Sequence, residues 1–129
     1  MKLIDCFMYY DEDLILDIRL NVLNKYVDKF IISEATRDHA GNKKKLNFDI
    51  KNYSKFKDKI IYMVEENLPK SVPEFKKNWS SDWHRENFHR NSLEKGYRNF
   101  HDEDLIMISD SDEIPNPNKI SLFNKKNMY

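Results

Sequence analysis

Leu105-Ile106-Met107-Ile108-Ser109-Asp110-Ser111-Asp112-Glu113-Ile114-Pro115 is the stretch on which the reading of this chain turns. Four apolar residues run into three carboxylates within four positions, and a proline follows. The apolar run is too short for a helix and suits a buried strand. Open α/β sheets bind ligands outside the carboxyl ends of their strands, so Asp110 and Asp112 stand where a ligand is expected. Carboxylates at i and i+2 supply hard oxygen donors, which match Mg²⁺ or Mn²⁺. The expectation is a divalent cation held at this tip against a sugar-nucleotide diphosphate.

Competing chemistries fit the acidic cluster less well. An acidic turn after a strand is common, and a bare D-x-D says little by itself. An EF-hand loop needs Gly at its sixth position, which Pro115 occupies here. A phosphotransfer Asp of the haloacid-dehalogenase kind would lie on the first strand, and Ile114 takes the place of its Thr or Val. A metal-bridged diphosphate accounts for the pattern best. Phosphates and carboxylates repel, a cation between them reverses the sign, and Arg or Lys side chains add to the same clamp.

Working back towards the N-terminus, the chain alternates strand and helix signals. Lys2 to Phe7 reads as a first strand. Asp13 is the expected N-cap of a helix from Leu14 to about Tyr26, whose apolar face is Leu16, Leu20, Leu23 and Val27. Lys29 to Ser33 is a second buried strand with Glu34 at its tip, and the three elements form a right-handed βαβ unit. Lys43 and Lys45, in a polar loop with Gly41, read as solvated. A short helix over Asp49 to Lys57 and a third strand over Lys59 to Val64 follow. Glu65 to Ser81, with Pro69 and Pro73, is expected to be an ordered loop; loops of that length often act as lids or ligand contacts.

Ser81 or Asp82 caps the next expected helix, which runs to about Asn99. Extending the stripe of Leu93, Tyr97 and Phe100 backwards puts Arg90 and Glu86 on the core-facing side. Two roles compete there with equal weight: a Glu86–Arg90 structural pair, or Arg90 and Arg85 meeting an anion at the sheet tips. After a turn at His101 to Asp104 comes the opening strand, expected at the centre of the sheet. Lys119 to Lys125 could add one or two helical turns.

The bulk properties agree with one α/β domain over residues 1–129. The 22 basic and 22 acidic residues cancel, which gives no basic excess for nucleic acid. Cys6 is the sole cysteine, which fits a core residue in a reducing, cytoplasmic setting. No stretch reaches membrane-span length, and the start does not read as a signal peptide.

Four blocks in order carry a resemblance. Ile108-Ser109-Asp110-Ser111-Asp112-Glu113-Ile114-Pro115 resembles the S-D-x-D-E-I-P signature of glycosyltransferase family 17, the β-1,4-mannosyl-glycoprotein 4-β-N-acetylglucosaminyltransferases. Asp5-Cys6-Phe7, with Asp17-Ile18-Arg19-Leu20 downstream, is similar to the family's D-C-F and E-I-R-L-N-E-L; Asp17 and Val22 replace its two Glu residues. Asp28 to Arg37 is similar to V-D-K-F-V-I-V-E-S-T. Arg85-Glu86-Asn87-Phe88-His89-Arg90-Asn91 is similar to R-E-x-x-Q-R-N, with His89 in place of Gln.

The resemblance implies a GT-A fold, in which a Rossmann-like sheet with flanking helices binds the nucleotide. It also implies inverting transfer from a UDP-sugar, with N-acetylglucosamine as the expected sugar, to a glycan acceptor. Asp112 would bind the cation directly and Asp110 through the ribose or a metal-bound water. Glu34 would contact the base or ribose, and Arg90, with Arg85, the phosphates. Phe7 and Tyr9 would lie near the base pocket, with core packing an equal alternative, and Glu113 would play a supporting part. The acceptor half and the catalytic base are expected beyond Tyr129, making residues 1–129 a truncated donor half. Missing strands would leave a sheet edge open to self-association. The alternative is a fragment that binds nucleotide-sugar or metal without catalysis.

Overall fold

The computed structural model describes residues 1–71 and 81–120. Four strands form one sheet: β1 (Leu3–Tyr9), β2 (Lys29–Ala35), β3 (Ile60–Glu65) and β4 (Leu105–Ile108). Every pairing is parallel and the order is β3-β2-β1-β4. Parallel neighbours require crossovers. Helix α1 (Asp13–Leu23) links β1 to β2, and a 3₁₀ helix (Ile50–Phe56) lies between β2 and β3. Helices α2 (Ser81–Ser92) and α3 (Glu94–Tyr97) precede β4, and α4 (Pro117–Ile120) follows it. The α/β, Rossmann-like fold expected from the sequence is present. No helix among the described residues is long and apolar enough to cross a membrane.

Strand alternation divides the core. Leu3, Phe7, Tyr9, Phe30 and Ile32 pack on one face with Leu16, Leu20 and Leu23 of α1 and with Tyr53 and Phe56. Ile4, Cys6 and Ile31 pack on the other with Leu93, Tyr97 and Phe100. The predicted stripe of α1 is buried, and full burial of each leucine contributes about 2 kcal/mol. On the second face Gly96 permits close approach: a Cβ there would lie 2.7 Å from both Ile31 Cγ2 and Met63 Sδ.

Several expectations are corrected. In the described sheet β4 is an edge strand that pairs only with β1. Its residues are half-buried and Ile108 is exposed, because no described strand covers the far side. Strands β1 and β2 run two residues further than predicted, since Met8 and Tyr9 pair with Ser33 and Glu34, and Glu34 and Ala35 with Val64 and Glu65. Glu12, not Asp13, is the N-cap of α1, and no side chain caps the helix. Asp13 Oδ1 instead accepts 2.7 Å hydrogen bonds from the hydroxyls of Tyr9 and Tyr53.

The predicted helix from Ser81 to Asn99 is split at Leu93. There Leu93 N donates to Arg90 O and Gly96 N to Leu93 O, both i to i−3. That tighter winding advances the helix phase, so a stripe extrapolated across it lands one residue off. The buried positions of α2 are therefore Arg85, His89 and Ser92, while Glu86 and Arg90 are half-exposed. Residues 66–71 have no regular structure. The rest of the expected loop (Pro73 and Trp79 included) and the end of the predicted final helix lie outside the described residues.

Candidate functional site

Chain order reverses direction between β1 and β4: β2 and β3 are added on one side of β1 and β4 on the other. A crevice at such a switch point is where doubly wound sheets bind ligands. A cavity of about 620 Å³ opens there, lined by residues at and beyond the strand ends: Tyr9, Tyr10 and Glu12 at the end of β1, Ala35, Arg37, His39 and Lys44 at the end of β2, and Asp110, Ser111 and Asp112 after β4. Glu86 and His89 of α2 close one side.

The loop bearing Asp110 and Asp112 is held from beneath by Arg19. This side chain is fully buried on α1. Its Nε and Nη2 donate to the two oxygens of Asp5 at 2.8 and 2.6 Å, a bidentate pair. Nη1 donates to the carbonyls of Asp110, Ser111 and Glu113 at 2.9, 3.2 and 3.0 Å, and Nη2 also reaches Ser109 Oγ at 2.6 Å. The guanidinium lies 4.4 Å from the centroid of the Phe7 ring. Phe7 is thus a packing residue beneath the site, whereas Tyr9 lines the cavity. Glu113 completes the turn, its Oε1 accepting from Asp110 N at 3.0 Å.

Arg90 stands on the opposite side of the loop. Its Nη2 donates to Glu86 Oε1 at 2.9 Å and to Asp110 Oδ1 at 3.0 Å. The expected Glu86–Arg90 pair is present, and the same guanidinium also pairs with Asp110 at the sheet tip. Asp110 first, and Glu86 with it, keeps the guanidinium firmly charged. Asp112 is exposed on the cavity wall, and no described residue donates to its carboxylate.

Glu34 and Arg85 have inward-facing jobs. Glu34 is fully buried. Its Oε2 accepts from Lys44 Nζ at 2.7 Å and Asn47 N at 2.5 Å, and its Oε1 from Phe48 N at 2.9 Å and Tyr62 Oη at 2.8 Å. Burial alone would raise its pKa, but these donors outweigh it and hold the carboxyl below its ordinary value. Both oxygens are thus engaged in stapling the loop after β2. Lys43 and Lys45 are exposed as expected, and Lys44 turns in to the cavity. Arg85 donates to the carbonyls of Pro69, His39 and Lys70 at 2.7, 3.2 and 3.0 Å, which ties two loops to α2. Both groups support the cavity through the loops they hold.

Burial pushes the Cys6 thiol up to about 12, with Asp5 adding and Arg19 opposing, so the cysteine is an inert core residue. His89 is buried, shares a 2.9 Å hydrogen bond with Ser33 Oγ, and meets His39 at 3.4 Å. Burial, then the neighbouring His39, pushes its pKa down to about 4, so it is neutral at physiological pH.

Among the described residues no three His, Cys, Asp or Glu side chains converge as a metal cage. That donor set still fits a cation whose shell is completed by a substrate. Mg²⁺ is commonly held by one or two carboxylates together with substrate phosphates and waters. Asp112, to which no described residue donates, and Asp110 would hold it.

Arg19 and Asp5 are visible in the sequence only as parts of the resembling blocks. The sequence does carry one cue: a charged residue within the apolar run of β1 and another on the apolar side of α1 call for each other. No curated protein and no solved structure matches the chain. The family model described as glycosyltransferase family 17 matches residues 1–129. The signature blocks, the parallel sheet and the acidic loop at its switch point agree with that match, and the chain belongs to glycosyltransferase family 17.

Proposed function

We propose that the cavity is the donor site of a glycosyltransferase that takes N-acetylglucosamine from UDP-N-acetylglucosamine and passes it, with inversion, to a glycan acceptor. The observation that carries this reading is Asp112. It is a carboxylate without a protein donor among the described residues, on a loop anchored by a buried guanidinium, at the sheet's switch point. An exposed carboxylate in that place is open to a cation bridging to phosphate.

A divalent ion there would neutralise charge that builds on the departing diphosphate. The chain's own residues do the remainder. Arg19 and Glu113 fix the loop, Arg90 supplies positive charge beside Asp110, and Lys44 and Arg37 add more within the cavity wall. Tyr10, exposed after β1, offers ring surface for the nucleoside.

The test compares UDP, UMP and uridine by calorimetry in saturating Mn²⁺. A cation-bridged diphosphate predicts UDP far ahead of UMP, with uridine weaker still. Equal affinities for the three would overturn the assignment of Asp110 and Asp112 to the diphosphate. Anomeric analysis of the product on a glycan acceptor then tests inversion.

A further inference from the structure

The donor-site reading leaves one contact unexplained. Asp110, offered as a cation ligand, already carries a cation: Arg90 Nη2 lies 3.0 Å from its Oδ1. The pair is half-exposed, with 34% of the Arg90 side chain and 44% of that of Asp110 accessible. An ion pair of that exposure contributes little, so it is readily exchanged. The buried Arg19–Asp5 pair beneath the same loop is fully enclosed and is not exchangeable in this sense.

Arg90 also has donors to spare. Both of its protein contacts use Nη2. Among the described residues, Nε and Nη1 find no acceptor, which leaves three N–H groups free; giving up Asp110 releases an Nη2 N–H beside them and completes a fork that binds phosphate bidentately. Its second partner, Glu86, belongs to the same helix turn and would keep the guanidinium at the cavity when Asp110 is given up. Glu86 and Asp110 both line the cavity, so a guanidinium between them has only a short distance to travel.

We propose that Arg90 is the exchangeable counter-ion of Asp110: it neutralises this carboxylate in the cation-free protein, yields it to the divalent cation, and turns its free N–H groups to the donor's diphosphate. This inference rests on the donor-site reading and adds a sequence of events to it. The cation-free loop avoids the repulsion of Asp110, Asp112 and Glu86 across one cavity. Cation and diphosphate then bind in a linked manner, because each frees or occupies what the other needs.

Arg90→Gln separates the two halves of the exchange. With Mn²⁺ alone, the variant is expected to bind the ion about two- to fivefold more tightly than the unaltered chain, since nothing competes for Asp110. With Mn²⁺ saturating, its affinity for UDP is expected to fall about tenfold, the loss of a charge-assisted phosphate contact. A guanidinium that merely props up the loop predicts weaker Mn²⁺ binding instead. Unchanged or weaker Mn²⁺ affinity in the variant overturns the exchange, as does unchanged UDP affinity. A second measurement needs no variant: the Arg90 guanidinium resonance, followed by NMR as Mg²⁺ is added, should shift as Asp110 is taken. A resonance that stays put at saturating Mg²⁺ also overturns it. If the unaltered chain binds neither ion nor UDP, the donor-site reading itself fails and the exchange falls with it. If it binds both and only the Arg90 effects are absent, the exchange alone fails.

Discussion

Removing the Arg19 guanidinium probes how the acidic loop is held. Arg19→Ala leaves Asp5, fully buried on β1, without its counter-charge, and strips a charged donor from three carbonyls of the loop. Breaking a buried pair from one side costs about 3–5 kcal/mol. A domain has only about 5–15 kcal/mol of stability in total. Arg19→Ala should therefore lower the urea midpoint severely. Replacing both partners with apolar groups of similar volume, Asp5→Leu with Arg19→Met, removes the uncompensated charge and should recover at least about 2 kcal/mol of that loss. The loop would still lack its anchor. Residues that orient ligating side chains typically matter about 10- to 100-fold in metal affinity, so the folded double variant should bind Mn²⁺ at least about tenfold more weakly. Urea unfolding and Mn²⁺ calorimetry on the three chains give both numbers. A double variant as unstable as the single one would refute the charge argument. One that folds and binds Mn²⁺ like the original chain would refute the anchoring role.

Buried ionisable groups set the acid end of the stability curve. His89 is held at about 4 by burial, below its ordinary 6.5. The unfolded chain thus binds more protons between these values, and stability is full above pH 6.5 and falls by about 3 kcal/mol as pH drops towards 4. His89→Gln should flatten that slope in denaturation curves measured across the window. Glu34 is depressed below 4.5, so its contribution is present above pH 4.5 and lost below it as the carboxyl protonates. Glu34→Gln should cost about 3 kcal/mol at neutral pH and reduce the acid-induced drop seen by circular dichroism. Gly41 has φ +96°, and a Cβ there would lie 2.6 Å from Arg85 Cζ. Gly41→Ala should cost about 2 kcal/mol or more, read as a lower melting temperature.

Local patterning makes most of the architecture legible. The strand runs stand out because they are short and apolar, and α1 because Leu16, Leu20, Leu23 and Val27 keep one period. The phase of α2 escapes such reading because a few i to i−3 bonds at Leu93 change the winding, and nothing in the residue types marks that point. The edge position of β4 is a matter of sheet order, which no single segment encodes. At the site, Asp110 and Asp112 draw notice because they directly follow an apolar strand run that two βα-like units precede. Arg19 lies 91 residues from Asp110 in sequence, so its contacts with the loop exist only after the sheet has formed. The resembling blocks place Glu34 and Arg85 at the ligand. In the fold their charge is drawn inward by backbone amides and carbonyls of the neighbouring loops.

The measurement closest to the central claim is calorimetric titration of UDP-N-acetylglucosamine with and without Mn²⁺, on the chain as it stands and on Asp112→Ala. Asp112 is exposed and has no described donor, so the substitution should leave the melting temperature essentially unchanged. Binding is predicted to require Mn²⁺ and to disappear in the variant. Binding that ignores both the ion and Asp112, or no binding at any Mn²⁺ concentration, would contradict the account.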